Sequence, residues 1–165
     1  MLVLVLAAGA ACAKDRATSS DRGRLQATVL RPRGDTTRFT LPAGAHGCAG
    51  RKSLLLQAAD ERGNGVLVLL RYGDSLTAGR FPFIAIGDSI TPRGANVAAR
   101  YMKGDIAHGV SLDSGAVDLT TTGADLGAHV RGSGLEGAVR VAVEATYHGV
   151  QRPAPGDTVP CRLQP

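Results

Sequence analysis

Val139-Arg140-Val141-Ala142-Val143-Glu144-Ala145-Thr146-Tyr147-His148 alternates with period two. Val139, Val141, Val143, Ala145 and Tyr147 share one face; Arg140, Glu144, Thr146 and His148 share the other, and only Ala142 breaks the polarity. Successive side chains of a strand point to opposite faces, so the segment reads as a strand with one buried and one wet face.

The same rhythm recurs on either side. Leu25, Ala27 and Val29 alternate with Arg24, Gln26 and Thr28; Phe39 and Leu41 with Arg38 and Thr40; Val117 and Leu119 with Asp118 and Thr120. Leu54-Leu55-Leu56 and Val66-Leu67-Val68-Leu69-Leu70 are apolar on both faces, and Asp60-Glu61-Arg62-Gly63-Asn64-Gly65 between them is a strong turn signal. This predicts a central hairpin covered on both sides. Further strands are expected near 80–86, 96–102, 110–113, 127–132 and 157–163. Composition at 95–102 also permits a short helix. The fold class is therefore all-β: an antiparallel β-sandwich or barrel of about nine short strands, with at most one short helix.

Composition agrees with this. The chain has 165 residues, enough for one domain, and is 44% hydrophobic. Aromatic residues are only 4% and Trp is absent, so the core falls to Val, Leu, Ile and Ala. Twenty-two glycines and eight prolines imply frequent turns.

The formal charge of +5 is unevenly spread. Residues 14–38 carry a net +4 and residues 39–165 a net +1. A nucleic-acid surface would spread such charge over the folded domain, so no nucleic-acid partner is expected. The excess sits just after an apolar run, Leu2-Val3-Leu4-Val5-Leu6, that ends in Ala7, Ala8, Gly9, Ala10 and Ala11. The run is too short to cross a bilayer, which takes roughly 20 residues. It reads as residues 1–13 of a signal peptide lacking its basic start, with 14–23 as a polar tether and 24–165 as one β domain. Ala11-Cys12-Ala13 suits ordinary signal peptidase. Gly9-Ala10-Ala11-Cys12 resembles a bacterial lipobox, in which Cys12 would be lipidated and attach the chain to a membrane. The expected location is periplasmic or membrane-anchored, with secretion as the alternative. Either cleavage leaves Cys48 and Cys161, an even pair that an exported protein most simply joins as a disulfide.

Gly73-Asp74-Ser75-Leu76-Thr77-Ala78-Gly79 resembles the nucleophile block of the GDSL (SGNH) esterases, as does Gly87-Asp88-Ser89-Ile90-Thr91. Asp105-Ile106-Ala107-His108 has the spacing of that family's orienting carboxylate and base. The resemblance implies Ser89, or less well Ser75, as nucleophile, with His108 and Asp105 completing a triad. The context opposes it. His108 follows Ser89 by only 19 residues, the family's Gly-x-Asn-Asp block is absent, and Gly79-Arg80-Phe81-Pro82-Phe83 does not readily start a helix. Gly-Asp-Ser is also good turn chemistry between strands, which is the preferred reading. His46, His108, His129 and His148 show no metal-ligand spacing and are expected to be isolated and exposed; no metal or cofactor is predicted.

The layout as a whole resembles small bacterial exported or lipoprotein β-domains. The resemblance rests on the leader, the tether, Gly79-Arg80-Phe81, Ser114-Gly115-Ala116-Val117-Asp118-Leu119-Thr120 and the strand from Val139 to Tyr147. It implies a β-sandwich at the cell envelope and supplies no catalytic residues. The leading functional expectation is a non-enzymatic structural or interaction module of unknown partner. A small-ligand-binding barrel is the alternative, and a serine esterase the second alternative.

Overall fold

The computed structural model describes residues 23–88 and 90–161; the expected leader with Cys12, most of the expected tether, and Ser89 lie outside them. Ten strands form one sheet: β1 (Gly23–Leu30), β2 (Thr36–Cys48), β3 (Ser53–Ala59), β4 (Gly65–Arg71), β5 (Gly79–Pro82), β6 (Gly94–Lys103), β7 (Ile106–Thr122), β8 (Asp125–Glu136), β9 (Val139–Gln151) and β10 (Thr158–Val159). Their order is β1-β9-β8-β7-β6-β4-β3-β2, and β1 also pairs with β2. The sheet thus closes into an antiparallel, up-and-down barrel of eight strands, with β5 and β10 added. Of the two architectures expected, the barrel is the one formed.

Alternation explains the interior. Leu25, Ala27 and Val29 of β1 face Val143, Ala145 and Tyr147 of β9 through the β1–β9 register, and all six are buried. An eight-stranded barrel is just wide enough for side chains to fill. Here they include Leu54, Leu56, Val66, Val68, Leu70, Val97, Leu112 and Val130, joined in one buried cluster. Tyr147 reaches across this interior, and its hydroxyl donates to the carbonyl of Val66 at 2.7 Å. Gly115 and Gly132 face each other across β7 and β8. A Cβ on Gly132 would come within 2.3 Å of the Phe83 ring. The pair leaves the space that Phe83 occupies.

The strand expected near 96–102 is present: residues 95–102 are strand throughout, and the short helix that composition also permitted there does not form. Ala95, Val97, Ala99 and Tyr101 alternate inward and pack on their neighbours, and that burial overrides a weak local preference. The strands are not all short. The segments expected at 110–113 and near Val117 to Thr120 are one 17-residue strand, β7, carrying a register shift between Leu112 and Ser114. The β3–β4 hairpin is covered on one face only. Leu54, Leu56, Val66, Val68 and Leu70 point inward, while Leu55, Leu67 and Leu69 are half-buried on the outer wall. Closing the sheet on itself replaces the second layer that a sandwich would supply.

The expected disulfide joins Cys48 and Cys161, 113 residues apart. It is the chemistry of an oxidising compartment. It ties β10 to the upper end of β2, where Gly47 N–H donates to the carbonyl of Asp157. We call this the upper end. The lower end carries the β1–β2, β3–β4, β6–β7 and β8–β9 turns.

Candidate functional site

Titratable side chains converge at the lower end. Tyr101 ends the inward face of β6 and His108 starts the inward face of β7, paired in register as a cross-strand neighbour. Their rings stack with centroids 5.2 Å apart. Glu136, the last residue of β8, closes the group. Its Oε2 accepts from the Tyr101 hydroxyl at 2.5 Å, and its Oε1 meets His108 Nδ1 and accepts from Arg31 Nη2 at 3.4 Å. Asp35 joins from the β1–β2 turn, beside Arg31 at 3.9 Å and bonded to Lys103 Nζ.

Electrostatics here follow from half-burial. The side chains of His108 and Glu136 are 17% and 15% exposed. Burial pushes the Glu136 carboxyl up, but the Tyr101 hydroxyl, His108 and Arg31 together bring it below its ordinary value. Burial first, and then the bond to Glu136, push the Tyr101 phenol up, so it stays protonated. Both oxygens of Glu136 are engaged by donors, which leaves it an orienting and charge-balancing group and not a free base. Chemically the cluster joins three hairpin turns and holds one imidazole through Nδ1.

The structure separates the motif residues named from sequence. Asp105 sits in the β6–β7 turn, and the carboxylate that bonds His108 is Glu136. Ser75 is exposed in the upper loop before β5. Gly79, four residues on, pairs with Leu119, and His108 lies eleven positions earlier on β7, roughly 35 Å along the strand. Ser89 is outside the described residues, but its flanks are placed. Asp88 Oδ1 accepts from the N–H groups of Ile90 and Thr91 at 2.8 and 2.9 Å, and Oδ2 accepts from the Thr91 hydroxyl at 2.6 Å. The Thr91 hydroxyl first, then these backbone donors, lower the Asp88 carboxyl to about 2. Arg71, at the upper end of β4, donates to the Asp88 and Thr91 carbonyls. This is an Asx-type turn, the chemistry expected of Gly-Asp-Ser between strands. Arg71 pairs with Gly94, seven residues along β6 from Tyr101, or about 23 Å.

Of the other histidines, His148 is exposed as expected, whereas His129 and His46 each lie beside a carboxylate. His129 Nε2 meets Glu144 Oε1 at 3.2 Å, and His46 Nδ1 lies 3.7 Å from Asp157 Oδ1. Among the described residues, no three His, Cys, Asp or Glu side chains converge as metal ligands would.

The outer wall carries open grooves. One, of about 530 Å³, runs over β2, β1 and β9 and is lined by Gln26, Thr28, Arg38, Thr40, Glu144 and Thr146. Another, of about 550 Å³, lies over β3, β4 and β6, where Lys52, Arg71, Tyr72 and Asp74 line it.

Sequence reasoning missed the lower cluster. A signal for it existed: Tyr101 and His108 stand on inward faces otherwise made of Ala95, Val97, Ala99, Val110 and Leu112. A polar group on a buried face needs a partner. Glu136 as that partner was out of reach, because it lies 28 residues from His108 and arrives through the β7–β8 register. No family model, curated protein or solved structure matches this chain.

Proposed function

We propose that the chain is an exported cell-envelope barrel that works as a non-enzymatic interaction module. The observation that carries this reading is the interior. Its inward faces are filled by apolar side chains from every barrel strand, so the described interior is packed where a small ligand would need a lined chamber. The convergent polar groups support the same reading, because they bond one another at one end while the motif serine Ser75 sits at the other. The Cys48–Cys161 bond and the apolar leader support export.

Two measurements test this. Titration with a fluorescent apolar probe should give no saturable one-to-one binding to the native protein, and an aryl ester should not be turned over. A saturable site would make the barrel a container; turnover abolished by Ser75→Ala or Ser89→Ala would make it an esterase. For export, the mass of the mature N-terminus is decisive. Diacylglyceryl-Cys12 means a membrane-anchored protein, a free Lys14 a soluble exported one, and an intact Met1 overturns export by cleavage.

A further inference from the structure

Thr36 to Thr40 of β2 form a stretch of barrel-strand edge that no described strand covers on the β3 side. β1 runs beside residues Thr36 to Ala43 of β2, and β3 runs beside only Gly44 to Gly47. The direction of the backbone groups follows from two bonds. Asp35 offers its carbonyl to Arg31 at the β1 turn, and Gly47 offers its N–H to β10. Odd-numbered residues of β2 therefore face β1 and β10. Strand alternation turns Thr36, Arg38 and Thr40 the other way, toward the side where β3 has ended. Their N–H and C=O groups form a short open ladder, bounded above by Pro42, which has no N–H, and below by the β1–β2 turn.

We propose that this edge of β2 is a docking site for an extended, acidic segment of a partner protein, added as a further strand. The proposal deepens the interaction-module reading and rests on it. Side-chain chemistry specifies the guest. Arg38 and Thr40 are exposed on the outer face and line the open groove over β2, β1 and β9. Arg38 makes no ion pair with a described acidic residue, so a carboxylate on the guest strand opposite it would be matched. On the other face Phe39 is partly buried against the core, and an apolar guest side chain there would extend it. The guest is thus an alternating segment, apolar inward and polar outward, with an acid facing Arg38.

A second copy of this chain fits less well. An antiparallel two-fold pairing centred on Arg38 satisfies Thr36 against Thr40 but sets Arg38 against Arg38, which is repulsive. A pairing centred on Phe39 separates the arginines but places Pro42 opposite Thr36, where a donor is missing. Charge and proline together discourage self-pairing, as at other managed sheet edges.

The test uses the mature protein with its disulfide intact and a capped seven-residue peptide of alternating valine and threonine, its central threonine replaced by glutamate. Saturating peptide should slow amide hydrogen exchange at Arg38 and Thr40 at least tenfold and leave Phe39, already paired to β1, unchanged. Arg38→Glu should weaken the glutamate peptide at least tenfold and favour a lysine-centred one. Thr40→Pro, which removes an edge N–H without touching the β1 ladder, should abolish binding. No protection at Arg38 and Thr40 with peptide in excess overturns the proposal. So does protection that depends on protein concentration alone, which would assign the edge to a second copy. Probe binding or ester turnover would instead overturn the module reading, whatever the edge does.

Discussion

β7 and β2 both outrun a neighbour, and the chain treats them differently. β7 extends beyond β6, which ends its pairing at Leu112, and β5 fills the gap by pairing Gly79 to Pro82 with Leu119 to Ala116. β5 is held by packing: Phe81 is fully buried, and Phe83 sits over the Gly115–Gly132 pair. β2 has two overhangs. The upper one is met by β10, a strand of only two residues fastened by the disulfide. The lower one, Thr36 to Thr40, is met by no described strand on its β3 side. Among the described residues, one polypeptide thus uses apolar packing, a covalent tie and an unfilled edge for the same geometric problem. The difference suggests that the open edge is not a defect of barrel closure, since the chain closes comparable gaps elsewhere.

The largest expected effect breaks the covalent solution. Cys48→Ser with Cys161→Ser removes a bridge over a very long loop, which the chain-entropy model values at about 4–5 kcal/mol. Denaturant unfolding should show a loss of that order, and exchange should quicken first at Gly47 and Ala49, whose amides bond the β10 segment. An unchanged unfolding midpoint in the double variant would mean that β10 holds β2 without its bond.

Phe81→Ala strikes the packed solution. Removing a fully buried ring should destabilise the barrel by about 3–5 kcal/mol. Exchange at β7 from Ala116 to Leu119 should rise more than at β7 from Ile106 to Leu112. Equal acceleration along both halves would contradict the view that β5 is a local patch.

Acid tests the lower end, beside the open edge. Glu136 titrates below its ordinary value in the folded protein. Its unfolded form therefore takes up protons first, so the Glu136 contribution is present above the unfolded pKa. It is lost as pH falls through the folded one. Stability should decline as pH falls below about 5, and Glu136→Gln should flatten that decline. At neutral pH the same substitution should cost about 1–3 kcal/mol, because it weakens charged hydrogen bonds from Arg31 and His108. An identical pH slope in the variant would remove Glu136 from the account.

The smallest effect concerns the turn that begins the edge. Arg33 has φ of 68°, in the left-handed region, followed by Gly34 at 77°. A side chain there is strained, and Arg33→Gly should raise stability by about 1 kcal/mol without altering exchange at Arg38. A loss of stability would show that the Arg33 side chain holds the turn in another way.

Much of the fold was legible in residues 139–148, 24–29 and 53–71, because period-two alternation marks an inward face wherever a strand buries one side. It was least legible at 95–102, where small residues satisfy two local readings until Val97 and Tyr101 find neighbours on β7. The candidate site was legible only as an oddity, a His and a Tyr on apolar faces. The adjacent Asp105 offered a misleading partner by spacing alone, whereas hairpin register delivered Glu136.

By itself, then, the sequence determined that this protein is made of strands, which side of each turns inward and where most of the turns fall. These properties are local. Tertiary structure decided that the sheet closes into a barrel, that the outer leucines of β3 and β4 go without a described second layer, that His108 meets Glu136, and that no described strand covers the lower β3-side edge of β2. Those outcomes depend on the stagger between strands far apart in the chain. Alternation constrains each strand's faces and says nothing about where its neighbour stops.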